Sequence, residues 1–388
     1  MLEESGSALD SPAAASIPFE FTGNLVYLTA YPDGSRPLRF ILETGAGMTG
    51  VDRATARELG LRTVGEVPVS GADEKSVNVQ IAELPELRLG GLTLPRLPVA
   101  VHSFERIQAH AGRRFDGLLG FDVLSRFVNE IDYAGRRLRL HDTLTFRYTG
   151  FGEKLAFRLD LNLVHVPARI HQPGRRPLDG EFVVDTGAGG RNGLVFAAPF
   201  VAQHGLPAPG QHTLAVRAAG LGISGAVSAE IGYIEGLDLG ALRLTRPVAL
   251  FSRDRRGFLS WPGRAGVIGN EILRRARIIL DYSRRELILE KNERWEDPFE
   301  FDMSGLTLSA EGDGLDVVRV TQVVEGSPAA EAGIRSGDVI AAVNGHPAGG
   351  FRLHRLRELF LGERRRYTLT IERPGGTLDV RLETRRLI

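Results

Sequence analysis

Cysteine is missing from this chain of 388 residues. That excludes disulfides and thiolate catalysis, but leaves the redox compartment open, because a protein with adequate cores needs no covalent staples. Net charge is missing too: 48 basic residues balance 48 acidic ones, so no basic surface of the size nucleic-acid binding requires is implied. Lysine is confined to Lys75, Lys154 and Lys291, and arginine clusters such as Arg364-Arg365-Arg366 read as solvated surface. No apolar run approaches the roughly 20 residues of a membrane-spanning helix. Met1–Ser16 is polar, rich in small residues and without the apolar stretch of a secretory signal, and reads as a flexible lead-in. There is no His-Glu-x-x-His zinc helix, no phosphate loop ending in Lys-Ser/Thr and no Gly-x-Ser-x-Gly elbow. His102, His110 and His141 are too scattered for a ligand set and read as surface or loop residues, so neither metal nor cofactor is expected.

What is present is a duplication. Phe40-Ile41-Leu42-Glu43-Thr44-Gly45-Ala46-Gly47 is matched by Phe182-Val183-Val184-Asp185-Thr186-Gly187-Ala188-Gly189. Each is a short apolar run that ends at a carboxylate and turns through Thr-Gly-Ala-Gly, as a strand does where it leaves a core. Three further anchors keep their order at a domain-sized offset of ~140 residues. Asn24-Leu25-Val26 pairs with Asn162-Leu163-Val164, Leu118-Leu119-Gly120 with Val267-Ile268-Gly269, and Ile131-Asp132-Tyr133 with Leu280-Asp281-Tyr282. Asp132 and Asp281 are assigned to turn backbone rather than to chemistry. Two such strand ends set face to face would bring Glu43 and Asp185 together out of bulk water. Adjacent carboxyls cannot both ionise easily, so one keeps a proton while the other can take one from water.

The carboxylate-Thr-Gly-Ala strand end, followed by apolar-apolar-Gly and then Ile-Asp-Tyr, resembles the retropepsin-like aspartic proteases over about residues 17 to 292. The resemblance implies a mostly β fold with two pseudo-twofold-related barrel lobes, residues 17–147 and 148–292, in one chain, hence a monomer through pseudo-dimeric lobes. It implies an endopeptidase in which water activated between Glu43 and Asp185 attacks a protein or peptide substrate. Thr44 and Thr186 would bond across the axis, Gly45 and Gly187 would let the loops approach, and the Gly120 and Gly269 segments would pack beneath them. Ala46 and Ala188 stand where pepsin-like relatives often carry a hydroxyl that bonds the carboxylate. Its loss raises the pKa and points to activity nearer neutral than strongly acid pH. Glu43 departs from the family's Asp: one methylene extends the carboxyl by ~1.5 Å, and misplacement near 1 Å can cost about a hundredfold in rate. Three readings stay open: an active Glu/Asp pair in an adjusted loop, impaired catalysis with the fold kept, or a peptide-binding scaffold without chemistry.

Two turns are candidate flaps over the cleft: Ser70-Gly71-Ala72 and its Gly-rich counterpart Gly220-Leu221-Gly222, with ordinary surface turns as the alternative. Beyond a polar junction, Asn292–Glu300, the pattern changes. The run Gly326-Ser327-Pro328-Ala329-Ala330-Glu331-Ala332-Gly333-Ile334, followed by Gly337-Asp338-Val339-Ile340, resembles a PDZ domain of the bacterial protease-associated kind over residues 301–388. In that family a peptide C-terminus adds as a strand, here beside Leu306–Ala310, with its carboxylate on the amides of Gly305, Leu306, Thr307 and Leu308. A helix around Leu353–Phe360 would form the opposite wall. The domain would tether substrate or gate the cleft. Family resemblance points to a periplasmic or secreted bacterial protein, with no nucleic acid and no membrane span among its partners.

Overall fold

The computed structural model describes residues 13–32, 35–70, 76–191, 193–219 and 226–388. Its first lobe is a barrel-like sheet of eight strands. Leu25–Pro32 alternates buried and exposed residues toward its end and pairs antiparallel with the buried strand Leu38–Leu42, Tyr27 opposite Ile41. Leu38–Leu42 then runs parallel to Gly117–Leu119, which lies antiparallel on Gly50–Asp52, itself parallel to Leu92–His102. The ten-stranded second lobe repeats this mixed pairing. Leu163–His171 pairs antiparallel with Leu178–Val184, which runs parallel to Gly266–Ile268. The latter is antiparallel to Leu194–Phe196, and that strand is parallel to Val248–Ser252. Strands with both faces covered read as continuous apolar runs, which is why the two segments ahead of Glu43 and Asp185 do not alternate.

A third, six-stranded sheet joins the lobes. Its middle pair is Val128–Asp132 of one lobe against Ala276–Asp281 of the other, with Ile131 opposite Ile278. The Ile-Asp-Tyr anchors therefore end the two central strands. Asp132 accepts the Gly135 amide at 2.8 Å and Asp281 the Arg284 amide at 3.0 Å, so both close turns. Glu130, fully buried in this sheet, meets His141 at 3.0 Å, Arg139 at 2.7 Å and Arg277 of the second lobe at 3.5 Å. Burial opposes its ionisation, but the His141 hydrogen bond and the two guanidinium charges outweigh this and hold its pKa below the usual range. His141 is thus a core residue, a correction to its reading as surface. The lead-in expected over residues 1–16 overlaps a strand at its end. Ala15–Pro18 is already a strand on Arg137–His141, because Ala15 and Ile17 alternate into the core.

The C-terminal unit has its own core around Leu308, Val320, Ile340, Leu356 and Leu369. Its strands follow the order Leu306–Glu311, Val317–Val323, Val339–Val343, Arg366–Arg373, Gly376–Glu383, which leaves Leu306–Glu311 at an edge. Ser327 caps the short helix Pro328–Glu331 by accepting the Ala330 amide, and Leu353–Leu359 forms the second helix. The junction before this unit is pinned. Arg275, with no exposed surface, donates to the carbonyls of Arg294, Asp297 and Pro298, lies 3.6 Å from the Phe299 ring centroid, and reaches Glu271 at 3.2 Å.

Candidate active site

Each lobe presents its carboxylate by the same local device. The Glu43 amide donates to Leu119 O and the Asp185 amide to Ile268 O, both at 3.0 Å, so the parallel strand beneath fixes where each chain leaves the sheet. The turn then closes: Ala46 N reaches Glu43 O at 3.2 Å and Ala188 N reaches Asp185 O at 3.3 Å. Phe121 N donates to Ala46 O and Asn270 N to Ala188 O, which anchors each loop to the residue after Gly120 and Gly269. A Cβ on Gly120 would lie 2.5 Å from the Met48 carbonyl carbon, so this close packing under the first loop requires glycine.

The two loops lock together through their threonines. Thr44 Oγ1 donates to Val184 O and Thr186 Oγ1 to Leu42 O, each at 2.7 Å. In return, Thr44 Oγ1 accepts the Thr186 amide at 3.0 Å and Thr186 Oγ1 the Thr44 amide at 3.1 Å. Both side chains are buried and all four bonds cross the pseudo-twofold axis. The exchange fixes the backbone of one carboxylate's loop against that of the other.

Glu43 and Asp185 share a side-chain hydrogen bond. Asp185 Oδ1 accepts the amides of Gly187 at 2.8 Å and Ala188 at 3.1 Å, both in its own loop. Glu43, one methylene longer, faces the amide of Gly45 in its own loop and that of Gly187 in the facing loop, both of which favour its charged form. The space it uses is the missing side chain of Gly187: a Cβ there would fall 1.4 Å from Glu43 Oε2. At Gly45 a Cβ would fall 2.5 Å from Asp185 Cγ. Burial pushes the Glu43 pKa well above its ordinary value, and the Asp185 charge and the hydrogen bond to it push the same way; the two amides only partly oppose them. A bonded carboxyl pair with one member biased toward the protonated state can polarise a carbonyl and accept a proton from water.

Asn270 and Glu271 escape a reading of the repeat. Buried Asn270 donates to Thr186 O and, at 2.8 Å, to Asn24 O, and accepts from Tyr133 Oη at 2.6 Å. Asn24 in turn donates to Gly190 O and to Glu271 Oε2, both at 2.6 Å. The Asn24 anchor was visible in sequence as a repeat signal, but its partners lie more than a hundred residues away and carry no local mark. Of the candidate flaps, Ser70 ends the strand Thr63–Ser70, while Gly71, Ala72, Gly220, Leu221 and Gly222 lie outside the described residues. A cavity of about 720 Å³ opens between the lobes and the C-terminal unit and reaches the second loop at Gly187 and Gly189, without either carboxylate in its lining. Gly187, Arg191, Leu25, Phe301, Leu306 and Arg357 are among its walls, drawn from both lobes, the junction and the C-terminal unit.

Comparison with known proteins agrees at the level of domains. The aspartyl protease family profile matches residues 28–123, and the PDZ domain profile matches residues 319–373. The chain therefore carries an aspartyl protease domain near its N-terminus and a C-terminal PDZ domain, a peptide-binding module, in a mostly β fold. A solved structure titled photosystem II D1 C-terminal processing protease is 30% identical over 22% of this chain and 23% of that one, with a TM-score of 0.21. The match spans less than a quarter of either chain. No curated protein matches the chain.

Proposed function

We propose that this protein is an aspartic endopeptidase built from lobes at residues 17–147 and 148–292, which hydrolyses peptide bonds with water activated between Glu43 and Asp185. The observation that carries the reading is the hydrogen-bonded Glu43/Asp185 pair, held by reciprocal threonine bonds at the junction of two like loops. Burial and the neighbouring charge make Glu43 the proton-holding partner, leaving Asp185 as the base. Asp185 takes a proton from water while the water oxygen attacks the scissile carbonyl carbon. Glu43 gives its proton to the carbonyl oxygen. Collapse of the tetrahedral diol breaks the C–N bond, with the proton held by Asp185 passing to the departing nitrogen and one diol hydroxyl returning its proton to Glu43, which leaves the acid product and the starting dyad. The pair titrates as a unit, and the raised Glu43 pKa favours work nearer neutral than strongly acid pH. The deciding experiment is cleavage of denatured casein at pH 5 to 8, followed by mass spectrometry. The parent chain should cut, and Asp185→Asn should lower the rate by about a thousandfold or more, as loss of an acid–base group does. Equal cutting by both chains would remove the dyad from the reaction.

One observation favours a second reading, that of a peptide-binding protein without chemistry. The longer Glu43 carboxyl fills the hollow over Gly187 more deeply than Asp185 fills the matching one over Gly45: a Cβ would fall 1.4 Å from Glu43 Oε2 but 2.5 Å from Asp185 Cγ. Glu43→Asp separates them: an active Glu/Asp enzyme loses rate with the shortened side chain, an impaired protease gains it, and a peptide binder without chemistry cuts in neither form.

A further inference from the structure

The PDZ domain would ordinarily offer two vacancies: unpaired amides in the loop before its edge strand, and a groove between that strand and the facing helix. Both are partly taken up in this chain by the chain itself. Asp302 Oδ1 accepts the amides of Ser304 at 3.0 Å and Gly305 at 2.6 Å, and the Ser304 hydroxyl bonds the same carboxylate at 2.9 Å. The Leu306 amide is taken by Ser304 Oγ at 3.1 Å and also faces Asp302. An internal carboxylate thus sits where a ligand's terminal carboxylate would sit. Burial pushes Asp302 up to about 6, opposed by these hydrogen bonds, so at neutral pH it is ionised and a strong acceptor.

The groove is covered in part by the first lobe, and the space left beside Leu306, Leu308, His354 and Arg357 belongs to the cavity described above. Helix Glu105–Ala111 packs on strand Leu306–Glu311. Gly112, the left-handed residue that ends this helix, abuts the opposite wall so closely that a Cβ would fall 2.4 Å from Leu353 Cβ. Arg357 spans the groove: its Nη2 donates to Leu308 O at 2.6 Å, on the backbone a ligand strand would use, and lies 3.5 Å from His110 Nδ1 of the covering helix. His110 accepts this neighbour as a neutral ring, because burial first and the Arg357 charge second push its pKa down to about 3. Below the helix, Arg114 donates to Asp313 O at 3.1 Å. The other side of the domain is also tied down, with His212 of the second lobe bonded to Leu387 O at 2.8 Å and Arg275 holding the junction.

We propose that the PDZ groove has this chain as its resident partner: Asp302 replaces the terminal carboxylate of a ligand, and helix Glu105–Ala111 with Gly112 replaces its body. The groove then clamps the first lobe, and an external C-terminus binds only by displacing both. An internal ligand acts at an effective concentration of roughly millimolar or above, so a micromolar peptide is outcompeted.

The test is fluorescence anisotropy on the full chain with a labelled hexapeptide ending in valine, as the free acid and as the C-terminal amide. All samples carry Asp185→Asn, so cleavage and its absence do not enter, and a failure here says nothing about the dyad. Adding Asp302→Ala should tighten free-acid binding at least about tenfold, with no gain for the amide. Parent binding as tight as that of Asp302→Ala, with the amide rejected, would overturn the proposal. If Asp302→Ala fails to fold by circular dichroism, Gly112→Ala decides, since its methyl forces the covering helix off Leu353. Free-acid affinity and hydrogen exchange of the Leu306–Glu311 amides should both rise, and no change in either would overturn the assignment.

Discussion

Glu43 shows what one methylene does in a buried pair. The sequence places the two carboxylates on matched strand ends, because a short apolar run closed by Thr-Gly is a local signal. It does not show where the longer side chain goes. That depends on the absent side chain of Gly187, which lies 144 positions away in the chain but within bonding distance of the carboxyl in space. The raised pKa makes Glu43 a source of pH-dependent instability. The folded state holds the proton more tightly than the unfolded chain does. This stabilisation is complete below the unfolded value, near 4.5, and fades as pH rises through the folded one. Glu43→Gln cannot ionise and escapes the loss. Thermal unfolding should find the variant's advantage over the parent smallest at about pH 4 and growing steadily above it, at up to ~1.4 kcal/mol per pH unit until the folded pKa is reached. A gap independent of pH would mean that Glu43 is not held protonated. Gly187→Ala should be worse than any change at Glu43 itself, because its methyl and the Oε2 atom claim the same space.

At the scale of elements, the duplication is imperfect in an informative way. Tyr133 and Tyr282 follow equivalent strands, and Phe121 and Asn270 follow equivalent glycines. Across the axis they form two unlike pairs. Tyr133 gives its hydroxyl to Asn270 at 2.6 Å, whereas Tyr282 meets Phe121 edge-on with ring centroids 5.4 Å apart, and its buried hydroxyl has no partner among the described residues. The repeat itself was legible from matched anchors. The division of labour between its halves was not, since it rests on which residue follows a glycine in the other lobe. Helix Glu105–Ala111 was missed for a related reason. Only Ile107 and Ala111 mark its apolar side, and its remaining packing comes from the PDZ strand. The two tyrosines give a paired prediction. Tyr133→Phe should cost about 1–3 kcal/mol in urea unfolding, because Asn270 Oδ1 is left buried without a donor. Tyr282→Phe should be neutral or slightly stabilising, because it removes a hydroxyl that is already unsatisfied. Equal costs would place both hydroxyls in unseen networks.

For the whole molecule, the question is whether the PDZ domain is tethered or built in. The junction reads in sequence as a polar linker, Asn292–Glu300, since Pro298, acidic residues and no periodicity mark it as a connection. Its rigidity comes from Arg275, in the helix–strand corner of the second lobe, which no pattern within the junction announces. Trp295 adds a second pin by donating from Nε1 to Arg243 O at 3.1 Å, and Tyr233 Oη reaches Phe299 O at 3.2 Å. Removing Arg275 would not orphan Glu271, which keeps Arg274 at 2.6 Å and Asn24 at 2.6 Å. The carbonyls of Arg294, Asp297 and Pro298 would instead lose their shared donor, at about 0.5–1.5 kcal/mol for each hydrogen bond removed, while Arg294 O keeps the Asp297 amide at 3.1 Å. Arg275→Met keeps much of the volume and removes only the fork. The expected outcome is a protease lobe pair that still unfolds cooperatively, with a junction that trypsin or chymotrypsin now opens between residues 292 and 302 at low enzyme ratios. The first lobe's helix Glu105–Ala111 should exchange its amides faster in the same variant, because the clamp on it depends on where the junction sets the domain. If the junction stays resistant and the helix stays protected, the tail contact at His212 and the covered groove hold the domain without Arg275. The rigid joint would then lie on the lobe surfaces rather than in the connection between them.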